Sequence, residues 1–200
     1  MKTTILAAVL LAAPVAAGAA TFPNTNPADL IGGNFQVEPT HTRILFAVSH
    51  MGFTTWFGDF TGASGTLTLD PNNLAATAFD IKIPTASVTT TNAKLDGELR
   101  GPKWFDAAKY PVIEFKSGTV TRTGTNTATV TGELTFHGVT RPETLNVTFN
   151  AAGNNELTNQ YTAGFNASGI VKRSDFNQST YVPLIGDDVS LTISAAFVKP

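Results

Sequence analysis

The chain has 200 residues, no cysteine, 14 Phe, a formal charge of −2 and only 14% charged side chains, where soluble domains usually carry about 25%. Without Cys there is no disulfide framework, no Cys-ligated zinc, no thiol nucleophile, no c-type haem attachment and no lipoprotein anchor. The near-neutral balance argues against a nucleic-acid binder, which shows a basic stripe, and the length suits one domain of ordinary size.

The N-terminus begins Met1-Lys2-Thr3-Thr4, runs almost wholly apolar from Ile5 to Val15, and continues Ala16-Ala17-Gly18-Ala19-Ala20. A basic start, a short apolar run and small residues have the form of a secretory signal peptide over residues 1–20. Cleavage after Ala19 or after Ala20 fits. The run is too short for a spanning helix, which needs about 20 residues. Removing the segment takes away Lys2 and no acid, so the charge moves from −2 to −3. The expected product is exported and soluble. Residues 21–33, rich in Pro, Asn and Gly, read as an irregular lead-in to one domain over 34–200.

From there the dominant signal is alternation, the period of a strand. Strands are predicted over Asn34 to Glu38, Thr42 to His50, Phe57 to Leu69, Ala78 to Ile83 and Val112 to Arg122. Between the last two, Thr90 to Gly101 has polar capping residues, helix formers and a Gly101-Pro102 stop, so a short helix is predicted there. Leu95 and Leu99 share its face. A second short turn is predicted over Phe105 to Lys109, ended by Tyr110-Pro111. Further on, Val130, Leu134 and Phe136 alternate with polar residues, as do Leu145, Val147 and Phe149, and Tyr161, Ala163, Phe165 and Ala167. Val189, Leu191, Ile193, Ala195 and Phe197 form the apolar face of a closing strand. Turn chemistry separates many of these runs, as at Asp70-Pro71-Asn72-Asn73 and Gly153-Asn154-Asn155. Regular strands with mostly short turns predict an all-β antiparallel barrel or sandwich. Full closure removes exposed edges, which favours the barrel, and the helical insertion would cap one mouth.

The aromatic content is concentrated. Ile44 to Phe60 is apolar on both faces in places, and Phe79, Trp104, Phe105, Phe115, Phe136, Phe149 and Phe165 add to it. A barrel of about eight strands either fills with side chains or holds one small ligand. Ordinary core packing explains such aromatics; an apolar pocket with a few polar groups at its mouth is the alternative. Phe46, Val48, Phe57, Phe60, Phe115, Phe136, Phe149 and Phe165 are the candidate lining residues.

Catalytic constellations are missing. His41 and His50 are nine residues apart, so on one continuous strand they fall on opposite faces, and His137 sits in a predicted turn. These spacings support no metal site. There is no G-x-S-x-G elbow, phosphate loop, GxGxxG or EF-hand pattern. Asp96 and Glu98, two apart on a helix, do not face each other. The polar cluster Lys172-Arg173-Ser174-Asp175-Phe176-Asn177 follows a predicted strand. In extended backbone Arg173 and Asp175 share a face. They form either a surface ion pair or a rim at which Arg173 orients a polar ligand head or pins the loop to the barrel.

Five blocks in order carry a family resemblance: His41-Thr42-Arg43-Ile44-Leu45-Phe46-Ala47-Val48-Ser49-His50-Met51-Gly52; Phe57-Gly58-Asp59-Phe60-Thr61 with Gly65 to Pro71; Leu99-Arg100 with Trp104-Phe105-Asp106 and Tyr110 to Ser117; Gly132 to Pro142; and Arg173-Ser174-Asp175-Phe176. Together they resemble the YceI-like family, from about Asn34 to Phe197. Glu98 stands where the family usually has His, Gly97 is an unusual small residue, Trp104 replaces a common Phe and Asn177 a common Gly. The resemblance implies an extended lipocalin-like barrel that is not an enzyme and uses no cofactor. It implies a periplasmic protein that binds a long-chain lipid: a polyisoprenoid, an isoprenoid quinone, or a fatty acid or amide. Transient membrane contact and a homodimer are compatible with it. Arg173 and Asp175 would form the polar rim. A barrel with a filled interior and a stress-protective role, or a lipid-modifying enzyme, are the rival readings.

Overall fold

The computed structural model describes residues 23–200; the signal-peptide expectation for residues 1–20 lies outside them. The described chain forms strands β1 (Gly33–Val37), β2 (Arg43–His50), β3 (Thr54–Phe60), β4 (Ser64–Leu69) and β5 (Ala78–Pro84), then helix α1 (Ala93–Arg100). Strands β6 (Val112–Arg122), β7 (Thr127–Phe136), β8 (Val139–Asn154), β9 (Tyr161–Lys172) and β10 (Ile185–Val198) complete it.

All ten strands join one antiparallel sheet in the order β1-β4-β5-β6-β7-β8-β9-β10-β2-β3, and β1 also pairs with β10. The ring from β1 round to β10 therefore closes with eight staves. β2 extends β1 along the same edge of β10, since Gln36 and Val37 face Val198 and Phe197 while Arg43 to His50 face Ser194 to Ile185. β3 and β4 form a second interrupted stave in the same way. The sequence predicts one strand from Phe57 to Leu69; the structure breaks it at residues 61–63, where Gly62 turns into left-handed backbone at φ 67°. Register shifts between Ser117 and Thr119, between Phe149 and Ala151, and between Ile185 and Val189 bend the long strands, as a closing sheet requires.

Alternation decides which side chains face inward. On β10, Val189, Leu191, Ile193, Ala195 and Phe197 point into the barrel, and Ser190, Thr192 and Ser194 are exposed outside. The outer wall is held by cross-strand pairs of modest strength, among them the Thr131–Thr144 and Thr135–Thr140 hydroxyl pairs, each at 2.9 Å.

The chain between β5 and β6 covers one end. Thr89 exchanges two backbone hydrogen bonds of 2.9 Å with Asp59 of β3, then α1 begins. Asn92 caps the helix by accepting from the Lys94 and Leu95 amides, as expected of Asn at that position. Arg100 donates to the Ala86 and Val88 carbonyls at 2.8 and 2.7 Å, tying the helix to the preceding turn. The Asp96 carboxylate accepts from the Thr90 amide and hydroxyl at 2.6 and 2.7 Å, and the Thr90 contacts hold its pKa below the ordinary value. Leu95 and Leu99 face the core, as their spacing predicts. The second short turn expected over Phe105 to Lys109 is found at residues 107–109, where the Lys109 and Tyr110 amides donate to the Asp106 carbonyl.

Gly65 opens β4 at φ 136°, and a Cβ there would lie 2.0 Å from the Asp80 carbonyl oxygen of β5. Only glycine meets both demands. Gly65→Ala is expected to cost about 2–4 kcal/mol in chemical denaturation. A variant within error of wild type would contradict this register.

Candidate functional site

The barrel interior is not filled. At the end closed by α1 lies a cavity of about 230 Å³. Its walls include Ile44, Phe46 and Val48 of β2, Phe60 of β3, Phe115 of β6, Leu134 and Phe136 of β7, and Val189, Leu191 and Ile193 of β10. Leu99 of α1, with Trp104 and Phe105 beyond it, also lines this cavity. A second cavity of about 190 Å³ lies toward the other end, lined by Leu67, Leu69, Phe79, Val120, Val130, Phe149 and Phe165 among others. Leu145, Ile193, Ala195 and Phe197 border both. Many inward-pointing residues, including Phe46, Val48, Leu191 and Ile193, are only half-buried. Inward yet half-buried is the signature of side chains facing open space rather than one another. Native interiors normally leave few voids larger than a water molecule.

The rings form a connected lining. Phe46 stacks near Phe60 at 5.6 Å between centroids, Phe60 near Phe105 at 5.7 Å, and Phe105 near Phe136 at 5.4 Å. Phe79 and Phe115 meet at 5.6 Å, and Phe149, Phe165 and Phe197 continue the series. Gly58 makes room for the first pair: a Cβ there would sit 2.1 Å from the Phe46 ring.

Of the sequence-predicted lining residues, the structure places Phe46, Val48, Phe60, Phe115 and Phe136 on the first cavity and Phe149 and Phe165 on the second. Phe57 is the exception. It pairs with Ala47 on the outer face and is 65% exposed. Gly58 and Trp56 are the β3 partners of the inward Phe46 and Val48, so Phe57 is out of phase by one residue. One residue moves a side chain to the opposite face of a strand.

Of the expectations for the polar rim, Arg173 does pin the loop, but it shares no face with Asp175. Residues 173–176 form a 3-10 turn rather than extended backbone. At about three residues per turn, positions two apart do not share a face. Asp175 is exposed, and Arg173 is buried at 7% exposure. Arg173 donates to the Gly186, Gln178, Thr180 and Ile185 carbonyls at 2.5–2.9 Å. Its guanidinium lies 5.7 Å from the Trp104 ring centre. Its principal work is to pin the loop from Gln178 to Gly186 across the barrel end. The Ser174 amide and hydroxyl donate to Asp187 at 2.8 and 2.7 Å, fixing the turn from the other side.

Three polar residues outside the expected set also line the first cavity, and one of them, the buried Thr42, accepts from the Ala196 amide of β10. Glu143 on β8 is half-buried. Extending the inward phase of Leu145, Val147 and Phe149 back by two residues finds it. Gln178 is 2% exposed, and its Oε1 receives no hydrogen bond. A buried acceptor left unmatched costs about 1–3 kcal/mol. No sequence pattern marks it, because its position depends on the loop that Arg173 holds.

The histidines are dispersed. His41 Nδ1 lies 2.6 Å from Glu38, His50 packs against Trp56, and His137 sits in the β7–β8 turn 4.5 Å from the Tyr110 ring. Among the described residues no group of three His, Asp or Glu side chains could hold a metal ion.

Burial pushes Glu143 above its ordinary 4.5, and the charge of Asp175 acts in the same direction. A raised folded-state value contributes stability that is complete below the unfolded value and lost as pH rises through the folded one. Glu143→Gln should therefore match wild-type stability near about pH 4 and exceed it by about pH 7. Parallel stability curves across that range would contradict the buried placement.

Comparison with known proteins places this barrel in a family. The YceI-like domain model matches residues 35–197. UPF0312 proteins of Yersinia pestis and Pseudomonas savastanoi are 35% identical over 162 residues and 37% identical over 139 residues; the alignments cover 81% and 70% of this chain, and 83% and 72% of theirs. BcnA of Burkholderia cenocepacia superposes with a TM-score of 0.72 at 25% identity, over 80% of this chain and 98% of that one. The YceI protein of Campylobacter jejuni gives 0.67 at 27%, over 76% and 90%. A polyisoprenoid binding domain from Saccharophagus degradans shares the fold at 0.60 and 18% identity, over 83% and 98%. With the closed barrel, its apolar interior and the ordered sequence blocks agreeing, the chain belongs to the YceI-like family.

Proposed function

We propose that this protein is an exported, non-catalytic carrier that holds one long-chain amphiphile of the isoprenoid type inside its barrel. The observation that carries the reading is the unfilled apolar interior, two cavities that share Leu145, Ile193, Ala195 and Phe197 as a common wall. A single extended chain passing that wall would occupy both. Each CH₂ removed from water contributes about 0.8 kcal/mol, so a long chain needs few polar contacts. The fold shared with the polyisoprenoid binding domain supports the same class of ligand. A filled, stress-protective barrel fits the cavities poorly. A lipid-modifying enzyme would need a nucleophile and base near the chain. The first cavity has Thr42, Glu143, Arg173 and Gln178 as its polar side chains besides the indole of Trp104, and the second has Thr77, Arg122, Thr125, Asn126 and Thr127, with no histidine in either described lining.

The signal-peptide form of the sequence over residues 1–20 supports export to the periplasm, where a lipid crossing between membranes needs shelter from water. At the α1 end, Met51, Phe53, Tyr181 and Leu184 are exposed beside the loop that Arg173 holds. Transfer needs brief contact with a lipid surface, and these side chains suit it.

Native mass spectrometry of protein purified from its own host should show a copurified long-chain species on a chain that begins at Ala20 or Thr21. Phe136→Asp and the cavity-filling Leu191→Trp should both lose it. Folded variants that retain wild-type uptake, or a wild-type barrel that takes up no isoprenoid, would overturn the reading.

A further inference from the structure

The two cavities differ in what they offer a charged group. In the first, Arg173 is buried and its guanidinium serves four carbonyls of its own chain, while the Thr42 hydroxyl accepts from the Ala196 amide. The second is bordered by the β6–β7 hairpin, by Pro71 and Leu74 of the loop between β4 and β5, and by Pro27 and Leu30 of the lead-in. Arg122 is the last residue of β6, two positions beyond the buried Val120, and its register partner Ala128 lines the cavity with it. The strand period therefore turns Arg122 to the inner face, at the rim. Unlike Arg173 it is exposed. It donates to the Thr125 carbonyl at 3.1 Å and reaches the Pro71 carbonyl at 3.5 Å. A guanidinium carries five N–H groups, so three stay open. Arg122 takes part in none of the ion pairs among the described residues, and the described lining of this cavity contains no Asp or Glu. The acid of the neighbouring loop, Asp70, turns Oδ1 to the Asn72 and Asn73 amides.

We propose that the carried amphiphile lies with its head at this rim and its tail toward α1, and that Arg122 pairs there with an oxyanion head, a phosphate or a carboxylate. The inference rests on the lipid-carrier reading. Arg suits the task because its planar fork meets two oxygens of such a head at once. The tail then runs past the shared wall into the first cavity, where Glu143 would oppose an anion and the Arg173 donors are already engaged.

Delipidated protein would be titrated with geranylgeraniol, its monophosphate and the matching carboxylic acid at low and at high salt. At least one of the two anions is expected to bind about tenfold more tightly than the alcohol at low salt, the size of one charge-assisted hydrogen bond. The anion that gains identifies the head. Because the rim is exposed, high salt should shrink the gain. Arg122→Gln should remove it and leave binding of the alcohol unchanged, and Arg122→Lys should keep part of it. An alcohol that binds as tightly as both anions overturns the head-group assignment and leaves the carrier reading standing. So does an Arg122→Gln variant that keeps the anion preference, or one that weakens the alcohol and the anions equally. Failure of all three probes to bind overturns both.

Discussion

The structure depends on closure of its sheet. β1 pairs with β4 on one side and passes only Gln36 and Val37 to Val198 and Phe197 of β10 on the other. Past that point β1 stops, the chain crosses residues 38–42, and β2 takes over the edge of β10. The seam is thus made by two short segments in succession. Closure removes most of the free edge, β3 keeping one side that meets only Thr89, and gives the inward side chains one interior to face. An interior of eight staves either fills with side chains or holds a small ligand. Here the inward side chains leave two cavities.

A barrel of this kind must also be finished at its ends. At one end the chain between β5 and β6 is anchored to β3 by Thr89 and Asp59, and α1 brings Leu99 to the cavity. The opposite rim of that end belongs to Arg173. A buried guanidinium donating to four carbonyls holds the chain from Gln178 into the first residues of β10. Such charge-assisted bonds are stronger than neutral ones. The residue is structural in its bonds, and through the loop it positions Gln178 beside the cavity.

What was legible in the sequence follows from what is local. The period-two pattern of Val189 to Phe197, or of Leu145 to Phe149, depends on neighbours along one strand, so strand identity and inward face were readable. Phe57 and Phe60 lie in a stretch that is apolar on both faces, where pattern does not choose the inward set. The pairing of β3 with β2 chooses it. Arg173 and Asp175 were separated by a 3-10 turn that no signal in the sequence announces. Glu143 sat in the correct phase but carried the wrong polarity for a lining residue. Gln178 depends on contacts made by residues from Arg173 to Gly186. The order and spacing of the family blocks reached further than periodicity, because they identify a whole ring of strands at once.

The central claim is that one apolar chain runs through both cavities. A crystal structure of the protein purified from its own host tests it most directly. The expected result is continuous tubular density from the Gln178 end, past Leu145 and Phe197, to the region of Phe149 and Phe165. An interior occupied only by repacked side chains, or by two separate short molecules divided at that wall, would contradict it.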